Sequence, residues 1–243
     1  NNAAAANATV NVYAPPTVAK SFTPASIASG GTSVLSLTVT NPAANVAAIT
    51  TVQLPDTFPA GVTLQNIVFT FTPAACGTAT RTTGVASVAG DNNIRLNVAT
   101  LNPGASCQLQ ANVTSSTVGT AVNTTTAVTA AGPVALTGGT TTAKLNVLAA
   151  TKSIVSSSED STTGANIAIG EIVRYRLVVN LPEGTSVNLQ MFDNLVNGLR
   201  FLNDNTARVA LVCTTPANCT STTLSGAGLV VAGNTAVGVT PTF

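Results

Sequence analysis

The chain has 243 residues, room for one or two domains, yet only 7% of them are charged, against about 25% in ordinary soluble domains. It contains no His and no Trp, which excludes Ser-His-Asp and Cys-His relays, imidazole metal sites and a proton switch near neutral pH. A net charge of +1 without a cluster of Lys and Arg excludes a nucleic-acid-binding surface, which must displace counterions from phosphates.

Taken in order, the runs 34–42, 52–56, 63–73, 94–101, 107–115, 121–131, 143–150, 172–182 and 207–213 alternate apolar with polar residues and are bounded by Gly, Pro and Asn. Period two in short runs predicts half-buried strands, and the Thr and Val that fill them fit a pleated surface better than a helix. Residues 96–143 carry no charge, and mean hydropathy is +0.40. Thr, Asn, Ser, Gly and Pro nevertheless interrupt every few positions, so no membrane-spanning segment is expected. The fold class is all-β: tandem immunoglobulin-like antiparallel β-sandwiches.

One element occurs twice. Lys20 lies in AKSFTPASIASGGTSVLSLTVTNP, and Lys152 lies in TKSIVSSSEDSTTGANIAIGEIVRYRLVVNLP, about 130 residues later. LPDTFPAGV around Asp56 matches MFDNLVNGL around Asp193, each Asp standing five residues before a Gly (Gly61, Gly198). NATVNVYAPP precedes Lys20 as TAKLNVLAA precedes Lys152. The division expected is 1–16, the last strand of a preceding module or a donor strand; 17–148, a sandwich; and 149–243, a second and incomplete sandwich. Residues 8–13 (ATVNVY) suit addition to another subunit's sheet, or to a preceding module of one long chain, so the partners expected are neighbouring modules or further copies in a filament.

These residues resemble bacterial surface repeats of the DUF11-like group over 17–130. The second unit, over 150–212, resembles the isopeptide-forming D2 domain of fimbrial pilins. The resemblance implies an extracellular, bacterial cell-surface protein, a structural repeat of a stalk, sheath or filament; an adhesin or ligand-binding module is the alternative. No turnover enzyme, cofactor or metal site is expected.

Some related domains crosslink themselves, and the residues permit it here. A neutral Lys must attack an Asn side-chain carbonyl beside a protonated carboxyl, all in an apolar site. Two of the three lysines (Lys20, Lys152) and two of the five aspartates (Asp56, Asp193) hold matched positions. For Lys20 the acceptor favoured is Asn123, with Asn146 second; the acceptor for Lys152 would lie past Phe243. The other reading makes each Lys part of a solvated linker and each Asp a turn residue. In a secreted β-protein the four cysteines suggest the disulfides Cys76–Cys107 and Cys213–Cys219, and neither pair has the C-x-x-C spacing of a metal site.

Lesser features carry less. Glu159 and Asp160 fall in a polar loop without the ordered oxygen ligands of a calcium site. Asn7, Asn112, Asn123 and Asn218 begin N-x-S/T sequons. Alternation places Tyr175 in the second core with Arg174 and Arg176 on the opposite face.

Overall fold

The computed structural model describes residues 10–160, 166–181, 193–202, 209, 211–213 and 229–231. Among them every regular element is a strand. In chain order these are β1 (Thr17–Thr23), β2 (Ser26–Ala28), β3 (Thr32–Thr40), β4 (Ile49–Thr57), β5 (Val62–Thr72), β6 (Thr78–Thr80), β7 (Asn93–Leu101) and β8 (Ser106–Ser115). There follow β9 (Gly119–Thr124), β10 (Thr129–Ala131), β11 (Leu136–Thr137), β12 (Thr142–Leu148), β13 (Ala150–Ser157), β14 (Val173–Val179), β15 (Leu211–Cys213) and β16 (Leu229–Val231). Two compact units divide between Pro182 and Glu183. The boundary expected at 148/149 falls between β12 and β13, inside the first unit. β15 and β16 pair in parallel within the second.

Alternation builds the sandwich of the first unit. A four-stranded sheet, ordered β1-β3-β8-β5, faces a five-stranded sheet, ordered β11-β10-β4-β7-β6. Leu35, Leu37 and Val39 of β3 and Leu109 and Val113 of β8 point in from one sheet; Val52 and Leu54 of β4 and Ile94, Leu96 and Val98 of β7 point in from the other. Each of these side chains is at most 2% exposed, and burying one stabilises the fold by about 1.5–3 kcal/mol.

Two irregularities re-aim side chains. The register of β5 on β8 runs from Leu64↔Val113 directly to Phe69↔Ala111. The extra residues loop out, Ile67 and Val68 face solvent, and parity flips so that Phe69 and Phe71 continue the inward row begun by Val62 and Leu64. On β4, Thr51 takes φ 50° where the pairing with β10 shifts register, a conformation uncommon for a β-branched residue.

A third sheet, β2-β12-β9, lies alongside the sandwich, with β12 against β1 and β9 against β4. β12 pairs in parallel with β2 and antiparallel with β9, and its Leu145 and Val147 enter the common core. The run expected as one strand over 121–131 is two, β9 and β10. Between them the chain crosses from the third sheet to the second, and the Thr126 N–H donates to the Pro55 carbonyl at 3.0 Å. After β12, β13 and β14 form a separate two-stranded antiparallel sheet.

A buried lysine, aspartate and asparagine

The site grows from strand parity. On β1, Lys20 alternates inward with Val18 and Phe22, and it pairs with Leu37. Leu37 pairs in turn with Leu109, and Leu109 with Phe71, so the lysine ends an apolar cross-strand row. On β4, Asp56 continues the inward positions of Val52 and Leu54 and pairs with Ile94. Asn123 is the inward residue near the end of β9, just before the crossover that ties Thr126 to Pro55. Three sheets thus deliver one polar side chain each to a single point.

Lys20 Nζ donates to both Asp56 carboxylate oxygens, at 2.7 Å each, and both side chains are 0% exposed. Asn123 Nδ2 donates to Asp56 Oδ2 at 3.1 Å. The lysine nitrogen and the amide therefore share an oxygen. Asn123 is 1% exposed, and its Oδ1 is buried without a hydrogen-bond partner. An orphaned buried carbonyl is costly, of the order of 1–3 kcal/mol.

Burial governs the charges. Loss of solvation pushes the Lys20 ammonium below its ordinary range, with the Asp56 charge and hydrogen bond opposing only in part. The same loss pushes the Asp56 carboxyl up, against the charge and hydrogen bond of Lys20 and the hydrogen bond of Asn123. Both shifts favour moving one proton from nitrogen to oxygen, giving an amine beside a carboxylic acid.

Of the residues singled out in sequence, Lys20, Asp56 and Asn123 come together. Lys20 is inside a strand and buried, not in a solvated linker, and Asp56 is in mid-sheet, not in a turn. Asn146, the second acceptor considered, has opposite parity to Leu145 and Val147: its Oδ1 accepts from Thr120 Oγ1 at 2.9 Å and its Nδ2 lies 3.5 Å from Ser26 Oγ. Burial of Asn123 also closes its sequon to a glycan. What the strand patterns lacked was the crossover after β9, which sets Asn123 against β4; the Pro55-Thr126 bond that fixes it leaves no mark in the sequence.

Cys76 and Cys107 are disulfide-bonded. Cys107 is a core residue of β8, and Cys76 leads into β6, so the bridge ties the short β5–β6 connection to the first sheet. The pair Cys213–Cys219 lies outside the residues whose side chains are described. In the second copy of the repeat, Lys152 is on β13, which is exposed on both faces, with its Nζ 4.3 Å from the centre of the Tyr175 ring, a cation–π distance. Tyr175 is half-buried and Arg174 and Arg176 are exposed on the other face of β14, as alternation requires. Asp193 is exposed. Among the described residues no three His, Cys, Asp or Glu side chains gather in a metal-binding group, and no helix is long and apolar enough to cross a membrane.

Among the described residues the fold is all-β, and the first unit contains a β-sandwich with a disulfide and a buried Lys–Asp–Asn cluster. By the family model that matches residues 16–147, the chain belongs to the DUF7933 family, a domain of unknown function. No curated protein matches its sequence. Among solved structures it is similar to a cohesin module of a Clostridium perfringens family 33 glycoside hydrolase, at 10% identity and TM-score 0.41, over 57% of this chain and 98% of that one. It is also similar to the collagen-binding subdomain of the Enterococcus faecalis surface protein ACE, at 15% identity and TM-score 0.35, over 52% and 95% of the two chains. The major pilin subunit BcpA of Bacillus cereus matches at 11% identity and TM-score 0.35, over 70% of this chain and 57% of that one.

Proposed function

We propose that this chain is a structural repeat of a bacterial cell-surface filament, stalk or sheath, and that its first sandwich locks itself with an isopeptide bond between Lys20 and Asn123. The observation that carries the reading is the buried cluster: an amine, a carboxyl and a carboxamide on one shared oxygen, with the amide carbonyl unsatisfied. The disulfide and the Thr/Asn-rich, nearly uncharged composition support an extracellular setting. So does the resemblance of residues 17–130 and 150–212 to surface repeats and fimbrial isopeptide domains.

The chemistry balances without any added reagent. A proton passes from the Lys20 ammonium to Asp56 across 2.7 Å. Ionised Asp56 can only accept, as it does from Asn123 Nδ2; protonated Asp56 gains an O–H donor, which Oδ1 accepts once the amide turns. The orphaned oxygen then gains its partner. Lys20 Nζ attacks Cγ, the carbonyl π pair moves to Oδ1, and the Asp56 proton stabilises the developing charge. Asp56 next relays a proton from the former amine to Nδ2; the Cγ–Nδ2 bond breaks and the carbonyl re-forms. An amide and one ammonia result, and Asp56 ends protonated. The chain reacts once, so it is not an enzyme.

Intact-mass spectrometry of the reduced protein tests the reading. The first module should lower the mass by one ammonia, and Lys20→Ala and Asn123→Ala should each restore that ammonia. A native mass with no such loss overturns the crosslink.

A further inference from the structure

The bond would close a covalent ring of residues 20–123, and the placement of the strands relative to that ring has a mechanical consequence. β2 and the part of β9 up to Asn123 are inside the ring; β10, β11 and β12 are outside it. β12 nonetheless sits between β2 and β9 and contributes Leu145 and Val147, 0% and 1% exposed, to the core. It leads directly into β13, so tension from the following part of the chain arrives at Leu148.

We propose that, once crosslinked, the first sandwich is a load-shielded frame carrying a releasable strap, residues 124–148, which gives the module one short, reversible extension. The proposal rests on the isopeptide reading. Load applied ahead of β1 reaches Lys20, crosses to Asn123 through the bond, and leaves residues 21–122 without tension. From Asn123 it can continue only along the strap. The register sets how the strap yields. Asn123 pairs with Ala143 and Gly119 pairs with Val147, so the rungs of the β9–β12 ladder lie between the two loaded points and are sheared together. The parallel rungs Asn146↔Ser26, Val147↔Ile27 and Leu148↔Ala28 add to the load. Release is therefore one event at high force. The Cys76–Cys107 bridge is inside the ring and does not change the length released.

Roughly 25 residues at about 3.3–3.6 Å each, less the short folded span from Asn123 to Leu148, give a gain of about 70 Å. An uncrosslinked sandwich with its disulfide intact would release about four times as much. The test is single-molecule pulling on the full chain, with azide-bearing residues placed at Val12 and Ala150 as handles, on protein whose mass has been measured first. Protein lacking one ammonia should lengthen by about 70 Å in one step and recover on relaxation. Leu145→Ala should lower the step force while leaving step length and mass loss unchanged. Lys20→Ala should give the fourfold longer step. Crosslinked protein that stays inextensible, or that lengthens as far as Lys20→Ala, overturns the strap. A native mass without the ammonia loss removes the bond and the strap together, and the mass, read before pulling, tells that failure from the others.

Discussion

The first sandwich holds two ion pairs of nearly equal length whose protons are pulled in opposite directions. Arg81 Nε and Asp91 Oδ2 are 2.8 Å apart at a rim where both side chains keep some exposure. There the hydrogen bond between them raises the arginine and lowers the aspartate, stabilising both charges. Lys20 and Asp56 are 2.7 Å apart with no exposure, and there the amine is lowered and the carboxyl raised. Distance is the same within 0.1 Å; the cation and, above all, the access of solvent differ. Removing water shifts the balance from the charged pair toward the uncharged one, the direction in which a lysine becomes a nucleophile.

The largest effect should come from Asp56→Asn, which removes the proton carrier and leaves the shape. Crosslinking should slow by about 10²–10⁴-fold, measured as the rate of ammonia loss after refolding. Lys20→Met should abolish the bond and strand a buried carboxyl, at a cost of about 3–5 kcal/mol in denaturant unfolding relative to Asn123→Ala, which also lacks the bond but keeps the pair. Adding Asp56→Leu to Lys20→Met should recover much of that cost, because a buried pair replaced by apolar groups is often neutral or better. Failure to recover would mean that the pair stabilises the fold outright, as an exposed pair does weakly. Removing both Cys76 and Cys107 as serines should cost about 3–4 kcal/mol and leave the ammonia loss intact.

The pH dependence separates the two pairs further. Before reaction Lys20 and Asp56 share one proton, so the crosslinking rate should be flat through the middle of its range. It should fall at low pH, where both groups hold a proton, and at high pH, where neither does. In Asn123→Ala, which cannot react, the burial penalties show as stability. The Asp56 penalty is absent below its ordinary pKa of 3.8, grows as pH rises toward the raised value and is complete above it. The Lys20 penalty is absent above its ordinary 10.5 and grows as pH falls toward the lowered value. The unreacted module should thus be least stable between the two, measured by thermal unfolding across pH. The smallest effect should be Arg81→Ala, a slight loss of stability that salt diminishes further.

Much of this was legible in the sequence because strands encode their own facing. Matched spacing drew attention to Lys20 and Asp56, and alternation in the runs around them is what buries both. Asn123 and Asn146 were harder to separate, since each stands in an alternating run and only the three-dimensional partner distinguishes them. The chain crosses between sheets after Thr124, which directs Asn123 to β4, while Asn146 reaches Ser26 and Thr120. Short strands such as β2, β6 and β11 carry too few residues to show a period, and the loop-out at 65–68 breaks the period within a run. Repetition of the motif did not fix its environment either. Lys152 repeats the position of Lys20 but lies on a strand exposed on both faces, over the Tyr175 ring.

Proteolysis of the reduced native protein followed by tandem mass spectrometry distinguishes a crosslinked first sandwich from an open one. The expected product is a branched peptide joining Lys20 to Asn123, lighter by one ammonia than its two linear parts and absent from Asp56→Asn sampled soon after refolding. Recovery of the Lys20 and Asn123 peptides only in linear form, at full mass, would contradict it.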